Sequence, residues 1–359
     1  DLFGWYHPPA GERERERAIL ICPPLGYEGI CAYPALRTLA ERLAAAGYPV
    51  LRFDYEGTGD SGGLDGDPGR VPAWLESVGH AATELRALSG KDDVCIFGVR
   101  TGATLALAAA AERGDVERLV LWNACPSGKA YLREMKAFRV LAEQEGELKP
   151  RPKAEGDTSE ESGGFLFSGE TVEALKKLDG VKLAKRAAEE VLVIARDDVP
   201  EDDKLARAIE SQGARVKHER LPGYAEMMVS PHKSVFPEQV CAAVLAWLDA
   251  APAQRQERRP RPASTARDVG SVAKGVREEV VRFGGRGSMF GVLTQPDDGR
   301  RVTRPLIVFS NTAGNYRVGP NRMYVEIGRK LAAAGFPSFR LDVSGVGDSM
   351  LWDDPDRNH

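Results

Sequence analysis

An internal repeat constrains the fold of this chain more than any other sequence feature. The segment LAAAGYPVLRFDYEGTGDS at residues 43–61 matches LAAAGFPSFRLDVSGVGDS at residues 331–349 without a gap, and 12 of the 19 positions are identical. The offset is 288 residues, and it also pairs AILICPPLG at 18–26 with LIVFSNTAG at 306–314. Self-similarity at a fixed offset indicates a duplicated architecture. The sequence therefore predicts one domain followed by the start of a second copy of it.

The repeat also predicts the domain boundaries. Residues 1–250 form the first domain, and residues 276–359 form the N-terminal part of the second. Residues 251–275 are rich in Pro, Arg and Gln and poor in large apolar side chains, so we expect a flexible linker there. The second copy has a strand-like segment, EEVVRF, ahead of its MFG, whereas the first copy begins almost at LFG. We therefore expect the first domain to lack its opening strand and the second to be truncated before its counterpart of residue 100.

Apolar runs alternate with amphipathic segments through the first domain. RAILICPP, YPVLRFD, DVCIFG and VERLVLWN read as strands, and segments with apolar residues at helical spacing separate them. This alternation predicts a doubly wound, mostly parallel α/β sheet covered by helices on both faces. Residues 129–188 interrupt the rhythm, and we expect a helical lid over a ligand crevice there, or else a surface helical hairpin. Ser168 is a candidate N-cap for a helix starting at Glu170.

Composition limits the classes of partner. The net charge is −4, from 49 basic and 53 acidic residues, which gives no basic surface for nucleic acid. No apolar stretch reaches the roughly 20 residues that span a bilayer. Five cysteines show no C-x-x-C spacing, so we expect reduced thiols and a cytoplasmic protein. The partner predicted on this basis is a small molecule or a protein.

One glycine-rich segment formally matches a dinucleotide-binding pattern. GTGDSG, with Gly57, Gly59 and Gly62, reads as G-x-G-x-x-G, but that fingerprint requires a helix at its last glycine. The chain instead continues as GLDGDPGR, a loop, and the second copy has Met350 in place of Gly62. We predict no cofactor.

The segment FGVRTGATLALAAA, residues 97–110, reads as a strand, a tight turn and a helix. This is the shape of a nucleophile elbow, G-x-S-x-G, in which the central residue is presented at the top of a sheet. Here the central residue is Arg100. A guanidinium stays protonated and has no lone pair for attack, so Arg100 cannot serve as the nucleophile.

Five segments together resemble the α/β-hydrolases, especially the serine aminopeptidase-like and exosortase-associated hydrolases. They are PPLGYEG (23–29), DYEGTGDS (54–61), GVRTG (98–102), LWNACPSGKAYLREM (121–135) and PGYAEMMVSPHKSVFP (222–237). The resemblance implies an α/β-hydrolase fold for nearly all of residues 1–250 and for the available part of the second copy. It also implies ester or thioester hydrolysis or acyl transfer, without specifying the substrate.

The same resemblance implies an oxyanion site. Leu25 and Gly26 occupy the loop whose backbone N–H groups face a developing oxyanion, together with the N–H of Thr101. Thr101 follows the elbow residue directly. Because an elbow presents one side chain, the neighbouring Thr101 side chain is expected to point away and not to act as the nucleophile.

The resemblance implies an acid and a base as well. Asp197 or Asp198 follows the strand after the lid, where the triad acid lies, although both are equally compatible with an exposed loop. The base belongs after the last strand, where the chain reads GYAEMM and has no histidine before His232. His232 reaches the site only if its loop folds back.

Two functions follow from an elbow that carries Arg100. In the first, the full-length protein is an ester or thioester hydrolase or an acyltransferase, its nucleophile lies in the second copy, and the first domain is impaired. In the second, neither copy is catalytic, and Arg100 beside a helix N-terminus captures an anionic ligand in a scaffold protein. Either reading allows the two copies to pack together.

Overall fold

The computed structural model describes residues 1–10, 14–144, 154–184, 187–199, 203–250, 263–297 and 303–351. The strands are β1 (Gly4–His7), β2 (Arg17–Cys22), β3 (Val50–Phe53), β4 (Asp93–Val99), β5 (Arg118–Trp122), β6 (Glu160–Ser162), β7 (Phe165–Phe167), β8 (Glu190–Arg196), β9 (Arg215–Leu221), β10 (Val269–Ala273), β11 (Val276–Phe283), β12 (Met289–Pro296), β13 (Ile307–Phe309) and β14 (Ser338–Asp342). The α-helices are α1 (Gly26–Ala45), α2 (Arg70–Ser89), α3 (Thr101–Arg113), α4 (Gly128–Gln144), α5 (Gly169–Lys177), α6 (Gly180–Leu183), α7 (Lys204–Ser211), α8 (Tyr224–Met227), α9 (Glu238–Ala250) and α10 (Met323–Ala333).

Seven strands form the larger sheet, in the order β1-β3-β2-β4-β5-β8-β9. β1 pairs antiparallel with β3, and every other neighbouring pair is parallel. The central strands β2, β4 and β5 are buried along their whole length, as expected for apolar runs covered on both faces. One apolar cluster lies on each face, built largely with α2 and α3 on one side and α1 and α9 on the other. The predicted doubly wound, mostly parallel α/β sheet is confirmed.

A second sheet has the order β10-β11-β12-β14-β13. Its strands β12, β14 and β13 repeat the pairing of β1, β3 and β2, first antiparallel and then parallel. The linker boundary at residue 275 was wrong, because β10 lies inside the expected linker. Its backbone pairs with β11, and the alternating exposure of β10 fits an edge strand. Residues 251–262 of that linker lie outside the described residues.

The insertion expected at residues 129–188 is part helix and part strand. Helices α4, α5 and α6 are combined with a β6-β7 hairpin, so the segment is not the purely helical lid that was predicted. The Ser168 hydroxyl accepts a hydrogen bond from the Thr171 N–H, which caps α5. The helix begins at Gly169, one residue before the predicted start.

Two buried ion pairs join the two sheets, and the 288-residue offset relates the residues of one pair to those of the other. Arg52 Nη2 lies 2.7 Å from Asp348 Oδ1, and Arg340 Nη1 lies 2.8 Å from Asp60 Oδ1. Arg340 occupies the repeat position of Arg52, and Asp348 that of Asp60. Each unit therefore contributes an arginine and an aspartate from equivalent repeat positions, and each of these residues pairs with a residue of the other unit.

None of the helices in the described part of the chain is both long and apolar enough to cross a membrane. All five cysteines are buried free thiols.

Candidate functional site

The turn after β4 has the backbone conformation of an elbow. Arg100 adopts φ 54° and ψ −122°, a region that non-glycine residues rarely occupy and that stores strain. Glycines allow the close approach that the turn needs. A Cβ on Gly98 would lie 2.4 Å from the Ala103 Cα, and one on Gly102 would lie 2.3 Å from the Cys22 carbonyl oxygen. The structure therefore retains the strand–turn–helix geometry of residues 97–110.

The Arg100 side chain is enclosed by carboxylates. Its Nε donates to Glu28 Oε1 at 2.9 Å, and its Nη2 donates to Glu134 Oε2 at 2.5 Å. The Tyr224 ring lies under the guanidinium, 5.9 Å from ring centroid to Cζ. Arg100 is only 4% exposed. We call Arg100, Glu28, Glu134 and Tyr224 the elbow cluster; in it, charge-assisted hydrogen bonds tie α4 and α1 to the turn.

Tyr224 occupies the position after the last strand of the sheet, where the resemblance placed the base. Its hydroxyl donates to Glu28 Oε1 at 3.2 Å, and its ring packs edge-on against Trp122. Burial, followed by the charge of Glu28, raises the pKa of Tyr224 well above its usual value. The phenol therefore stays protonated at neutral pH and acts as a hydrogen-bond donor.

Sequence reasoning missed Glu28, Glu134 and Tyr224 as partners of Arg100. They lie 72, 34 and 124 positions from it, and no local spacing connects them. One signal was available for Tyr224, because GYAEMM follows the last strand directly, where the base was sought. For the two glutamates the only signal was physical: a buried guanidinium needs carboxylates.

The predicted oxyanion site is partly occupied by the protein itself. The Leu25 N–H donates to the Thr101 hydroxyl at 2.9 Å, so this N–H is already satisfied and does not face an open oxyanion position. Thr101 is buried, and its hydroxyl is used in that bond. Gly26 opens α1 with φ 62°. Leu25 and Gly26 line a cavity described below, whereas Arg100 and Thr101 are not among the residues that line it.

The structure does not assemble the predicted acid and base at the elbow. Asp197 and Asp198 are exposed, and Asp198 forms an ion pair with Arg196 at the end of β8. His232 is exposed as well, and its backbone nitrogen lies 2.7 Å from where a Cβ on Gly314 would be. Among the described residues, no hydrogen bond links any of these three side chains to Arg100 or Thr101. These predicted residues therefore do not form a nucleophile, base and acid within hydrogen-bond reach of one another in the described part of the chain.

A cavity of about 1110 Å³, measured to its open mouth, lies beside the elbow between the ends of β2 and β3, the β7 segment and the C-terminal unit. Most of its lining is apolar. Its charged residues are Arg52, Asp54, Asp65, Arg70 and Arg322. Across the part of the chain that the structure describes, no group of three or more His, Cys, Asp or Glu side chains is arranged to hold a metal ion.

Comparisons with known proteins agree with the fold. Residues 30–177 match the family model "Serine aminopeptidase, S33". Est1E of Butyrivibrio proteoclasticus, solved with bound ferulic acid, is similar in structure with a TM-score of 0.51 and 19% identity over 69% of this chain and 94% of that one. Proline iminopeptidase of Mycobacterium smegmatis has a TM-score of 0.48 and 15% identity over 69% and 94% of the two chains. Among curated proteins, the comparison finds no match.

At these identities the likeness of the solved structures shows the fold alone. The strained turn after β4, the sheet order and the family match all describe the same architecture. The chain has the α/β-hydrolase fold, and its residues 30–177 are similar to the serine aminopeptidases.

Proposed function

We propose that residues 1–250 form a non-catalytic α/β-hydrolase unit in a tandem protein whose ester or thioester hydrolysis, or acyl transfer, belongs to the second copy. One observation carries the proposal: the elbow residue is Arg100, and its guanidinium is neutralised by Glu28 and Glu134. An elbow in a hydrolase presents a nucleophile to substrate. In this unit the elbow holds together α1, α3 and α4.

The surroundings of the elbow support the absence of covalent chemistry. Thr101, the nearest hydroxyl in sequence, is engaged by the Leu25 N–H. Activation of a hydroxyl needs an adjacent general base, and the place expected for one is taken by Tyr224, a protonated phenol. His232 is exposed and packs against Gly314.

The C-terminal sheet supports the tandem arrangement. Strands β12, β14 and β13 repeat the order and direction of β1, β3 and β2. Phe3 contacts Phe290, with which it aligns when LFG at residues 2–4 is matched to MFG at 289–291, an offset of 287; the ring centroids are 6.4 Å apart. Such a self-contact, together with the exchanged pairs Arg52–Asp348 and Arg340–Asp60, is what a two-fold interface between like units produces.

The alternative, an anion receptor at Arg100, is disfavoured by the same ion pairs. Glu28 and Glu134 already supply two carboxylates to one guanidinium. An anionic ligand would have to displace one of them and leave it buried or half-buried without a cation, which costs several kcal/mol by rough estimate. These pairs therefore favour a structural role for Arg100 over the capture of a ligand.

Esterase assays with matched variants test the proposal. The native chain, Arg100→Ser and Arg100→Ala are compared on short-chain p-nitrophenyl esters and acyl thioesters, with folding checked by circular dichroism. We expect no turnover above buffer for any of the three, because the hydroxyl that Arg100→Ser introduces would lack a base. Turnover by the native chain that is lost in Arg100→Ala would contradict the proposal. A gain of turnover in Arg100→Ser would show that a working base and oxyanion site survive around the elbow.

A further inference from the structure

The loops at residues 54–61 and 342–349 begin with equivalent aspartates, Asp54 and Asp342, in different surroundings. Asp342 is fully buried and fully bonded. Its Oδ1 accepts from the Arg317 N–H at 2.6 Å and from Asn311 Nδ2 at 3.2 Å. Its Oδ2 accepts from Arg317 Nη1 at 2.8 Å and from the Asp348 N–H at 3.0 Å. Both carboxylate oxygens are thus satisfied by protein donors.

Asp54 keeps only one of these bonds. Its Oδ2 accepts from the Asp60 N–H at 2.9 Å, which corresponds to the bond from Asp348 to Asp342. Among the described residues no side chain donates to the Asp54 carboxyl. The repeat offset explains the difference, since Gly29 and Pro23 stand where the second unit has Arg317 and Asn311, and neither has a side-chain donor.

The space left beside Asp54 is the cavity described above. Asp54 is only half-buried and lines it. Nine of its 26 lining residues are aromatic: Phe3, Trp5, Tyr33, Phe53, Tyr55, Trp74, Phe165, Phe167 and Tyr316. An unsatisfied carboxyl group in an apolar, aromatic pocket attracts a hydrogen-bond donor or a cation.

Two of the three arginines in the cavity wall, Arg52 and Arg322, already donate to acceptors of the protein and do not favour an anion. Arg52 donates to Asp348 and to His7. Arg322 donates to the backbone carbonyls of Gly59, Ser61 and Gly63.

Arg70 is the remaining cation of the wall, and it too has a carboxylate. Its Nη2 donates to Glu56 Oε1 at 3.1 Å. Its Nε and Nη1 have no hydrogen-bond partner, but both atoms are sealed from solvent. Nη1 is crowded against Gly57, where an added Cβ would lie 2.6 Å from it and 2.8 Å from the Leu64 carbonyl oxygen. A ligand in the cavity therefore meets Asp54 more readily than the free nitrogens of Arg70.

We propose that this cavity binds a small amphipathic cation, an amine, amidine or guanidine attached to an aromatic or aliphatic body, with Asp54 recognising the cationic head. The ligand's donors would replace those that Arg317 and Asn311 supply to Asp342 in the second unit. Its apolar body would pack against Trp74 and the Phe165–Phe167 segment. This site is separate from the elbow cluster and does not depend on whether the first unit is catalytic.

Calorimetric titration of the full chain tests the site with four probes. Benzamidine and phenethylamine carry the cationic head, benzoate carries the opposite charge, and benzyl alcohol carries none. We expect saturable binding of the two cations and at least tenfold weaker binding of benzoate and benzyl alcohol. Asp54→Asn should weaken the cations at least tenfold, because its amide oxygen can still accept from Asp60 while the charge is lost. Glu76→Gln, which removes an equal charge from the exposed side of α2 outside the cavity, should change their affinity less than twofold.

A second variant addresses the apolar wall. Phe165→Ala lies on the hairpin outside the central sheet, and we expect it to weaken phenethylamine several-fold without unfolding the protein. The proposal is overturned if neither cation binds saturably, if benzoate binds as well as benzamidine, or if Asp54→Asn leaves their affinity unchanged. It is also overturned if Phe165→Ala has no effect, because the cation would then bind elsewhere.

Discussion

The elbow cluster and the cavity beside Asp54 lie at one edge of the larger sheet. The protein's own side chains pair the charge of Arg100, but they do not pair that of Asp54. Around Arg100 the strained turn is retained, but Glu28 and Glu134 accept hydrogen bonds from Arg100, and Tyr224 donates to Glu28. At Asp54 the loop geometry also survives, yet the side-chain donors present at Asp342 are missing. A motif's backbone shape therefore does not tell whether its site is open to a ligand.

The difference follows from where the charges are neutralised. A buried charge must be paired, and a protein can pair it with its own side chains or leave that role to a ligand. Arg100 is paired internally, so substitution there should act on stability. Asp54 is incompletely paired, so substitution there should act on binding and on pH dependence.

Removal of the elbow arginine should have the largest effect on stability. Arg100→Met leaves Glu28, whose side chain is 13% exposed, without its cation. Breaking a buried pair in this way costs about 3–5 kcal/mol, and the half-exposed Glu134 should reduce the cost towards the lower figure. We expect the free energy of unfolding to fall by about 3 kcal/mol in urea titrations.

Arg113→Met is the matched control for that experiment. Arg113 lies on the same helix, α3, and pairs with Asp115, but its side chain is 26% exposed. Its loss should cost about 1 kcal/mol or less, as for other solvated pairs. Equal losses for the two variants would show that burial of the elbow cluster contributes nothing, and the contrast with the cavity would disappear.

The sequence predicted the elbow from adjacent residues. Gly98, Arg100 and Gly102 lie within five positions, after an apolar run and before an alanine-rich helix, so local pattern was sufficient. The same holds for the strands β2, β4 and β5, whose apolar runs demand a buried parallel sheet. Strand β10 was missed because its segment, Val269–Ala273, carries only two valines among small residues and forms by pairing at an edge.

The contents of both sites required the tertiary structure. Tyr224 and Glu134 reach Arg100 only because α8 follows β9 and α4 follows β5 at the same edge of the parallel sheet. The repeat did place Gly29 opposite Arg317 and Pro23 opposite Asn311, so the missing donors of Asp54 were visible in the alignment. That these substitutions leave a cavity, instead of a closed loop, depends on how α1 and the hairpin pack, which periodicity does not encode.

Asp54 should give the protein a stability that falls as pH rises. Burial, then the nearby Asp60 carboxylate, raises the pKa of the Asp54 carboxyl to about 7. A carboxyl whose folded pKa lies above its unfolded value of about 3.9 stabilises the fold fully below that value and loses this contribution as pH rises through 7. The decline is at most about 1.4 kcal/mol per pH unit between those limits. Other charged and titratable groups near it are Arg317, Asp348, Arg52, Tyr33 and Tyr316.

The measurement compares urea unfolding of native protein and Asp54→Asn from pH 5 to pH 8. Because the other titrating groups are shared, the difference in unfolding free energy isolates Asp54. We expect the unfolding free energy of the variant, minus that of the native protein, to increase steadily as pH rises and to level off above pH 7. A flat difference would mean that Asp54 ionises without penalty, and thus that the cavity already supplies a compensating donor.

Within the elbow cluster, the two glutamates should differ in a small but measurable way. Glu134 is 46% exposed and reaches Arg100 from α4, whereas Glu28 is more buried and also accepts from Tyr224. Glu134→Gln keeps an oxygen acceptor and loses only a solvated charge, so we expect about 0.5 kcal/mol of destabilisation. Glu28→Gln should cost about 1–3 kcal/mol, because it weakens charged hydrogen bonds in a drier place. Equal effects in urea titrations would mean that the Arg100–Glu134 pair is as buried in solution as the Arg100–Glu28 pair.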